Sequence, residues 1–240
     1  MLGTIVLEGR WMAQVRGRLS GFLNEEKLVH VIVECARRAR PRRFSAFLEL
    51  DAGVGIADIV FCSHRPRSER ATGMLSKIQP RLAPLLDPNT AAQIASRDNL
   101  QSALGLSRDA TQRVTKQLRD LGILRSQGEG IRLASVAAEP FPYIIAVEAK
   151  LTKWQGALAQ AYRNRQFADE SWVVLDHWYH AAATAQLDRF QRSGVGLASV
   201  SAAGELFVHQ AALPAPPISA TKRWHAQSAL ARRVTAATKS

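Results

Sequence analysis

The stretch Tyr143–Arg163, YIIAVEAKLTKWQGALAQAYR, decides how this chain is read. Its first nine residues, to Leu151, have the apolar and β-branched character of a strand, set off by Pro140 and Pro142. Within that run stand Glu148 and Lys150. Side chains alternate along a strand, so the acid and the base share one face, about 7 Å apart along it. An apolar strand is destabilised by two buried charges unless they pair with each other, with a third group or with a metal. A helix from about Lys153 to Phe167 follows, and Thr152 and Gln155 fit a T-x-x-Q capping box at its start.

A third charged group lies upstream. FSAFLEL and IADIVFC read as two strands joined by the glycine-bearing turn DAGVG. The second strand is apolar on both faces apart from Asp58. Two carboxylates converging from adjacent strands make a hard, oxygen-rich pocket of the kind Mg²⁺ or Mn²⁺ prefers. An ammonium beside it can orient a water or stabilise a phosphate transition state. A buried Asp–Lys–Glu ion cluster without catalysis explains the same charges. Further upstream, Asn24 is an N-cap for a helix with Leu28, Ile32, Cys35 and Ala39 at helical spacing, ended by Pro41. Glu25 and Glu26 are first-turn acids that the helix dipole favours, and Arg37, Arg38, Arg40, Arg42 and Arg43 crowd the other end. Glu25 shares a face with Leu28, Val29 and Ile32, whereas Glu26 lies about 100° away.

Taken together, GIADIVF and IIAVEAKL resemble the two central motifs of the PD-(D/E)xK nuclease superfamily, with Ala57 in place of the proline of that name. The order helix, strand, strand, strand, helix, strand is also that family's. The resemblance implies an α/β, restriction-endonuclease-like αβββαβ core around a mixed central sheet. It implies that Asp58, Glu148 and the backbone carbonyl of Ala149 hold Mg²⁺ or Mn²⁺, and that Lys150 is the catalytic lysine. NEEKLVHVI resembles the first helix of Holliday-junction resolvases in the family, which selects Glu25 as a further acid. ALAQAY resembles the family's active-site glutamine segment, which selects Gln160.

Between Asp58 and Glu148 about ninety residues intervene. Three helical segments and a short hairpin around Gly128–Gly130 outline a winged helix-turn-helix, and LGLSRDATQRVTKQLRDLGIL resembles the turn, recognition helix and wing entry of bacterial regulators. Arg108, Arg113, Lys116 and Arg119 on that helix, with Arg125 and Arg132 flanking the wing, are candidate DNA contacts; a solvated charged face explains them equally. The expected organisation is a nuclease core in residues 1–66 and 139–217, an insert in 67–138, and a basic tail in 218–240 that is a loose extension or one short helix.

The bulk numbers agree with a polyanion partner: a formal charge of +12, and a pI near 10.6. The apolar share of 47% suffices for a core. Cys35 and Cys62 sit in apolar contexts and read as buried free thiols in a reducing cytoplasm. The first residues, MLGTIVLEGRW, carry only a short apolar run with no small-residue cleavage site, and no segment reaches the ~20 apolar residues of a membrane span. His177 and His180 have a metal-compatible spacing but no matching pair in the sequence, and read as structural or surface residues. A phosphate-binding loop of the G-x-x-x-x-G-K-[ST] type is lacking, which argues against ATP-driven work. The expectation is a metal-dependent DNA endonuclease whose winged helix engages the target. A non-catalytic DNA-binding regulator or assembly factor on a nuclease-like scaffold is the alternative, and an RNA-processing nuclease a third. Because a duplex cut usually needs two active sites, a homodimer stays open.

Overall fold

A computed structural model describes residues 21–39 and 44–238. The N-terminal run, Arg40, Pro41, Arg42 and Arg43 lie outside the described residues. In chain order the elements begin with α1 (Glu25–Ala39), β1 (Ser45–Asp51), β2 (Ile56–Cys62) and α2 (Glu69–Lys77). A 3-10 helix (Pro80–Leu86), α3 (Pro88–Gln93), α4 (Arg97–Leu104), α5 (Arg108–Asp120), β3 (Leu124–Gln127) and β4 (Gly130–Leu133) follow. The chain then runs through β5 (Ile144–Lys150), α6 (Trp154–Asn164), β6 (Glu170–Asp176) and a 3-10 turn (His177–Tyr179). It closes with α7 (Ala181–Thr184), α8 (Leu187–Ser193), β7 (Gly196–Val200), β8 (Leu206–Gln210) and α9 (Ala220–Ala237). No helix among the described residues is long and apolar enough to cross a membrane.

The chain divides into two compact units, one of residues 1–64 and 141–219, the other of residues 65–140 and 220–240. The first is mixed α/β. Its six-stranded sheet has the order β1-β2-β5-β6-β7-β8. β5, β6 and β7 run parallel, while β1, β2 and β8 are antiparallel to their neighbours. A mixed sheet arises because helices α6 and α8 make the parallel crossovers and tight turns make the antiparallel pairs. At one such turn Gly204 takes φ 82°, a left-handed conformation that glycine adopts without steric cost.

Strand alternation divides the sheet residues between two layers. Ile59, Phe61, Val147, Ala149, Val174, Ala198 and Val200 meet α1 through Leu28, Ile32 and Val33. Val173, Leu175 and Leu197 meet Trp154, Ala157, Leu158, Ala161 and Phe190 of α6 and α8. Each fully buried aliphatic or aromatic side chain contributes about 1.5–3 kcal/mol. Asn24 caps α1 by accepting the Lys27 N–H at 2.9 Å. Ala39, expected on the buried stripe, is exposed. The capping box at α6 does not form: Lys153 occupies the cap position without a side-chain bond, and Thr152 and Gln155 are exposed. Between β6 and β7 the helical stretch is divided into α7 and α8.

The second unit contains α2 to α5 and the two-stranded sheet β3-β4. α4 ends at Gly105, whose φ of 59° lets its N–H reach back to the Gln101 carbonyl. Ser107 then caps α5. The tail corrects the sequence reading, because α9 is an 18-residue helix that belongs to this unit and not a separate extension. It packs on α2 and the 3-10 helix. Its buried face was hidden in the sequence because Arg223, Gln227 and Ser228 share it with Trp224, Leu230 and Ala231. Those polar groups are bonded: Arg223 Nε and Gln227 Nε2 donate to Glu139 Oε2 at 2.8 and 3.1 Å, and the Ser228 hydroxyl reaches the Leu75 carbonyl at 2.9 Å. Leu230 is fully buried, so Leu230→Ala is expected to cost about 2–5 kcal/mol, read from the urea midpoint. Leu213→Ala, at a side chain 61% exposed, is expected to shift it by less than about 0.5 kcal/mol.

Candidate functional site

The β2–β5 ladder runs from Cys62 opposite Ile144 to Ile59 opposite Val147. The paired register ends there, and the next residue of β2 is Asp58. Its carboxylate takes the place of a ladder carbonyl: Oδ2 accepts the Ala149 backbone N–H at 2.8 Å. The same oxygen accepts from Lys150 Nζ at 2.9 Å. Lys150 also reaches Glu25 Oε2 at a longer 3.4 Å, so of the two first-turn acids of α1 it is Glu25 that approaches the lysine. In β1, Glu49 adopts φ 50° although it is not a glycine. It sits between the registered partners of Ala57 and Ile59, and therefore against Asp58. Left-handed backbone at such a residue stores strain of order 1–3 kcal/mol, and strain of this kind gathers at functional sites.

Glu148 lies on the same face as Lys150 and is fully buried. Its Oε1 accepts from Asn164 Nδ2 at 2.7 Å. Its Oε2 is buried and has no protein hydrogen-bond partner among the described residues. Burial, and next the Asp58 charge, push the Glu148 pKa from 4.5 to about 7, against the Asn164 bond and the charges of Lys150 and Arg163. Burial alone would lower the pKa of Lys150. The bond to Asp58 and the charges of Asp58, Glu25 and Glu148 outweigh it and raise the pKa, so the amine is held as an ammonium.

Asn164 and Arg163 were missed in the sequence. Asn164 was legible in principle, because it continues the Ala157–Ala161 stripe of α6 as a polar residue on a buried face. Gln160, one turn earlier, is half-buried; the helix's bond to Glu148 comes from Asn164. In the second unit all six candidate DNA contacts are exposed. They divide between surfaces. Arg108, Lys116 and Arg119 line a groove of about 330 Å³ with Arg97 of α4. Arg125 and Arg132 line a cavity of about 700 Å³ with Arg65, Arg67 and Arg70. Arg113 lines neither. In comparisons with known proteins, no family model, no curated protein and no solved structure matches the chain.

A hard divalent cation fits the carboxylate cluster on its own chemistry. The cluster offers carboxylate oxygens, and Glu148 Oε2 is a buried acceptor with no protein donor among the described residues. With no ion bound, the raised Glu148 pKa makes stability depend on pH. An acid whose folded pKa exceeds its unfolded value contributes fully below the unfolded pKa and loses that contribution as pH rises through the folded one. The unfolding free energy of the wild type should therefore fall between pH 4.5 and about 7 relative to Glu148→Gln. Urea titrations across that range in chelator test this, and parallel curves for the two proteins would contradict it.

Proposed function

We propose that the chain is a divalent-metal-dependent deoxyribonuclease built on a restriction-endonuclease-like core, with a winged helix-turn-helix inserted between β2 and β5 to engage DNA. The observation that carries the reading is Glu148 Oε2, a buried and unpartnered carboxylate oxygen beside the Asp58–Lys150 contact. A structural ion cluster has no use for such an oxygen, since each unsatisfied buried acceptor costs about 1–3 kcal/mol. Asp58, Glu148 and the Ala149 carbonyl would hold Mg²⁺ or Mn²⁺, with Glu25 at the rim. The ion would supply charge neutralisation at the phosphate and a more acidic water. Asn164 fixes one oxygen of Glu148 and so aims the other. Lys150, held protonated by its acidic neighbours, donates hydrogen bonds and does not serve as a base. Its ammonium is placed to stabilise negative charge developing on the scissile phosphate.

The basic surface of the second unit supports a nucleic-acid partner. Arg125 and Arg132 stand directly opposite each other on β3 and β4. Like charges in that relation are destabilising, and a bound phosphate turns the repulsion into attraction. Contacts of this kind give salt-dependent affinity without base specificity. One observation favours the alternative of a DNA-binding protein without catalysis: Asp58 Oδ2 already accepts from both Lys150 and Ala149.

Two measurements separate the readings. Labelled duplex, branched and single-stranded DNA, with RNA beside them, should be cut in Mg²⁺ or Mn²⁺, and Lys150→Ala should slow cleavage by about 100-fold or more. Asp58→Asn should abolish both cleavage and Mg²⁺ binding by calorimetry. Tight DNA binding with no divalent-ion uptake by the wild type would overturn the catalytic reading. Replacing Arg125 and Arg132 by Ala should weaken DNA binding and lower the salt slope by about 1 for each phosphate that is no longer neutralised.

A further inference from the structure

A second cluster of metal-ligating side chains involves none of these carboxylates. After β6, Asp176 closes the 3-10 turn by accepting the Trp178 N–H at 2.9 Å. The rings of His177 and His180 stack, with centroids 4.4 Å apart and planes 13° apart. His180 stacks in turn on His209 at 4.8 Å and 7°. His209 is delivered by a β-bulge: Ala198 pairs with Val208 and Leu197 with Gln210, leaving His209 as the extra residue of β8. Bulges re-aim side chains and are features of functional edges.

The second nitrogens of these rings are already organised. Ser199 Oγ lies 2.8 Å from His177 Nδ1 and 2.8 Å from His209 Nε2. His180 Nδ1 bonds the His177 carbonyl oxygen. A serine oxygen has two lone pairs and can accept an N–H from each of two rings. In that tautomeric arrangement His177 Nε2, His180 Nε2 and His209 Nδ1 all carry free lone pairs. Ring nitrogens of the three residues, one from each, lie within 4.8 Å of one another, and all three residues are half-buried. Packing alone does not call for three imidazoles, since Phe207 serves as the aromatic partner of His177 at 4.2 Å.

We propose that His177, His180 and His209 bind a first-row transition-metal dication of the Zn²⁺ type, with Ser199 as the outer group that orients two of the ligands. Imidazole suits Zn²⁺ and its neighbours, and does not suit Mg²⁺. Metal-bound histidines ordinarily donate their other N–H to an oxygen, which is the role Ser199 and the His177 carbonyl fill. Burial and the neighbouring histidines lower the pKa of His209 to about 4, which keeps the ring neutral and able to ligate. Three protein ligands leave a fourth position for water. Zn–N bonds of ~2.0–2.1 Å bring ligand nitrogens to roughly 3.4 Å of each other, so binding opens the stack and draws the His177–His180 turn and β8 together.

The test uses the full chain carrying Asp58→Asn and Glu148→Gln, so that the carboxylates do not take the ion, and the wild type in excess Mg²⁺ as a second background. Zn²⁺ titrated calorimetrically should bind at one equivalent per chain in both, raise the Tm, and perturb the fluorescence of Trp178, which is 61% exposed. Ser199→Ala should weaken binding by about 10–100-fold, and His180→Gln or His209→Gln should remove it, with circular dichroism of each metal-free variant matching its parent. Absence of saturable Zn²⁺ binding in both backgrounds overturns the proposal. So does full affinity in His180→Gln and His209→Gln.

Discussion

The bond from the Ala149 N–H to Asp58 is the constraint on which the first unit's site depends. Up to Ile59 and Val147 the two strands are held by their backbones. One residue further, the carboxylate of Asp58 spans the gap that a carbonyl would otherwise close. The carboxylate that continues the link between the strands where their backbone pairing ends is also the counter-ion of Lys150. Geometry and charge are thereby set by one group. Replacing Asp58 with an apolar residue would remove a ladder bond, leave the lysine ammonium without its nearest partner, and relieve Glu148 of a neighbouring charge.

Relief of that charge matters because Glu148 is the least compensated group in the cluster. Its neighbours divide the work unequally. Lys150 turns to Asp58 and Glu25, while Asn164 satisfies one Glu148 oxygen. A cluster whose only task was stability would pair each charge and leave no acceptor open, because removing a partner from buried ions costs more than replacing the whole set with apolar groups. The arrangement instead leaves one acid strained toward protonation next to one amine held charged.

The strands were legible because IADIVF and IIAVEAK are apolar on both faces with almost no interruption, so each polar residue stands out; the mixed sheet was implied by the family resemblance and not by the strand pattern. Asp58, Glu148 and Lys150 come together for that reason. What was not legible came from residues whose meaning depends on distant partners. The face of α9 contains arginine, glutamine and serine that read as solvated until Glu139 and the carbonyl of Leu75 are placed beside them. Asn164 is marked in the sequence only as a polar residue on the buried stripe of α6, and its role requires knowing that α6 lies over β5. His209 is 29 positions beyond His180 on another element, and only the bulge in β8 turns it toward the pair.

The two proposed donor sets of this sheet differ in chemistry. One is built from carboxylates and a carbonyl, which hold hard cations that keep much of their water. The other is built from three half-buried imidazoles, which discriminate in favour of softer ions. Both sets share one device, a side chain that ties down one polar atom of a residue and leaves its twin open: Asn164 on Glu148, and Ser199 on His177 and His209. Both anchoring groups are uncharged, so neither repels a cation nor neutralises the ligand it orients. Asparagine and serine at buried positions thus suit this task, since a charged partner such as arginine in either place would satisfy the ligand completely and close the site.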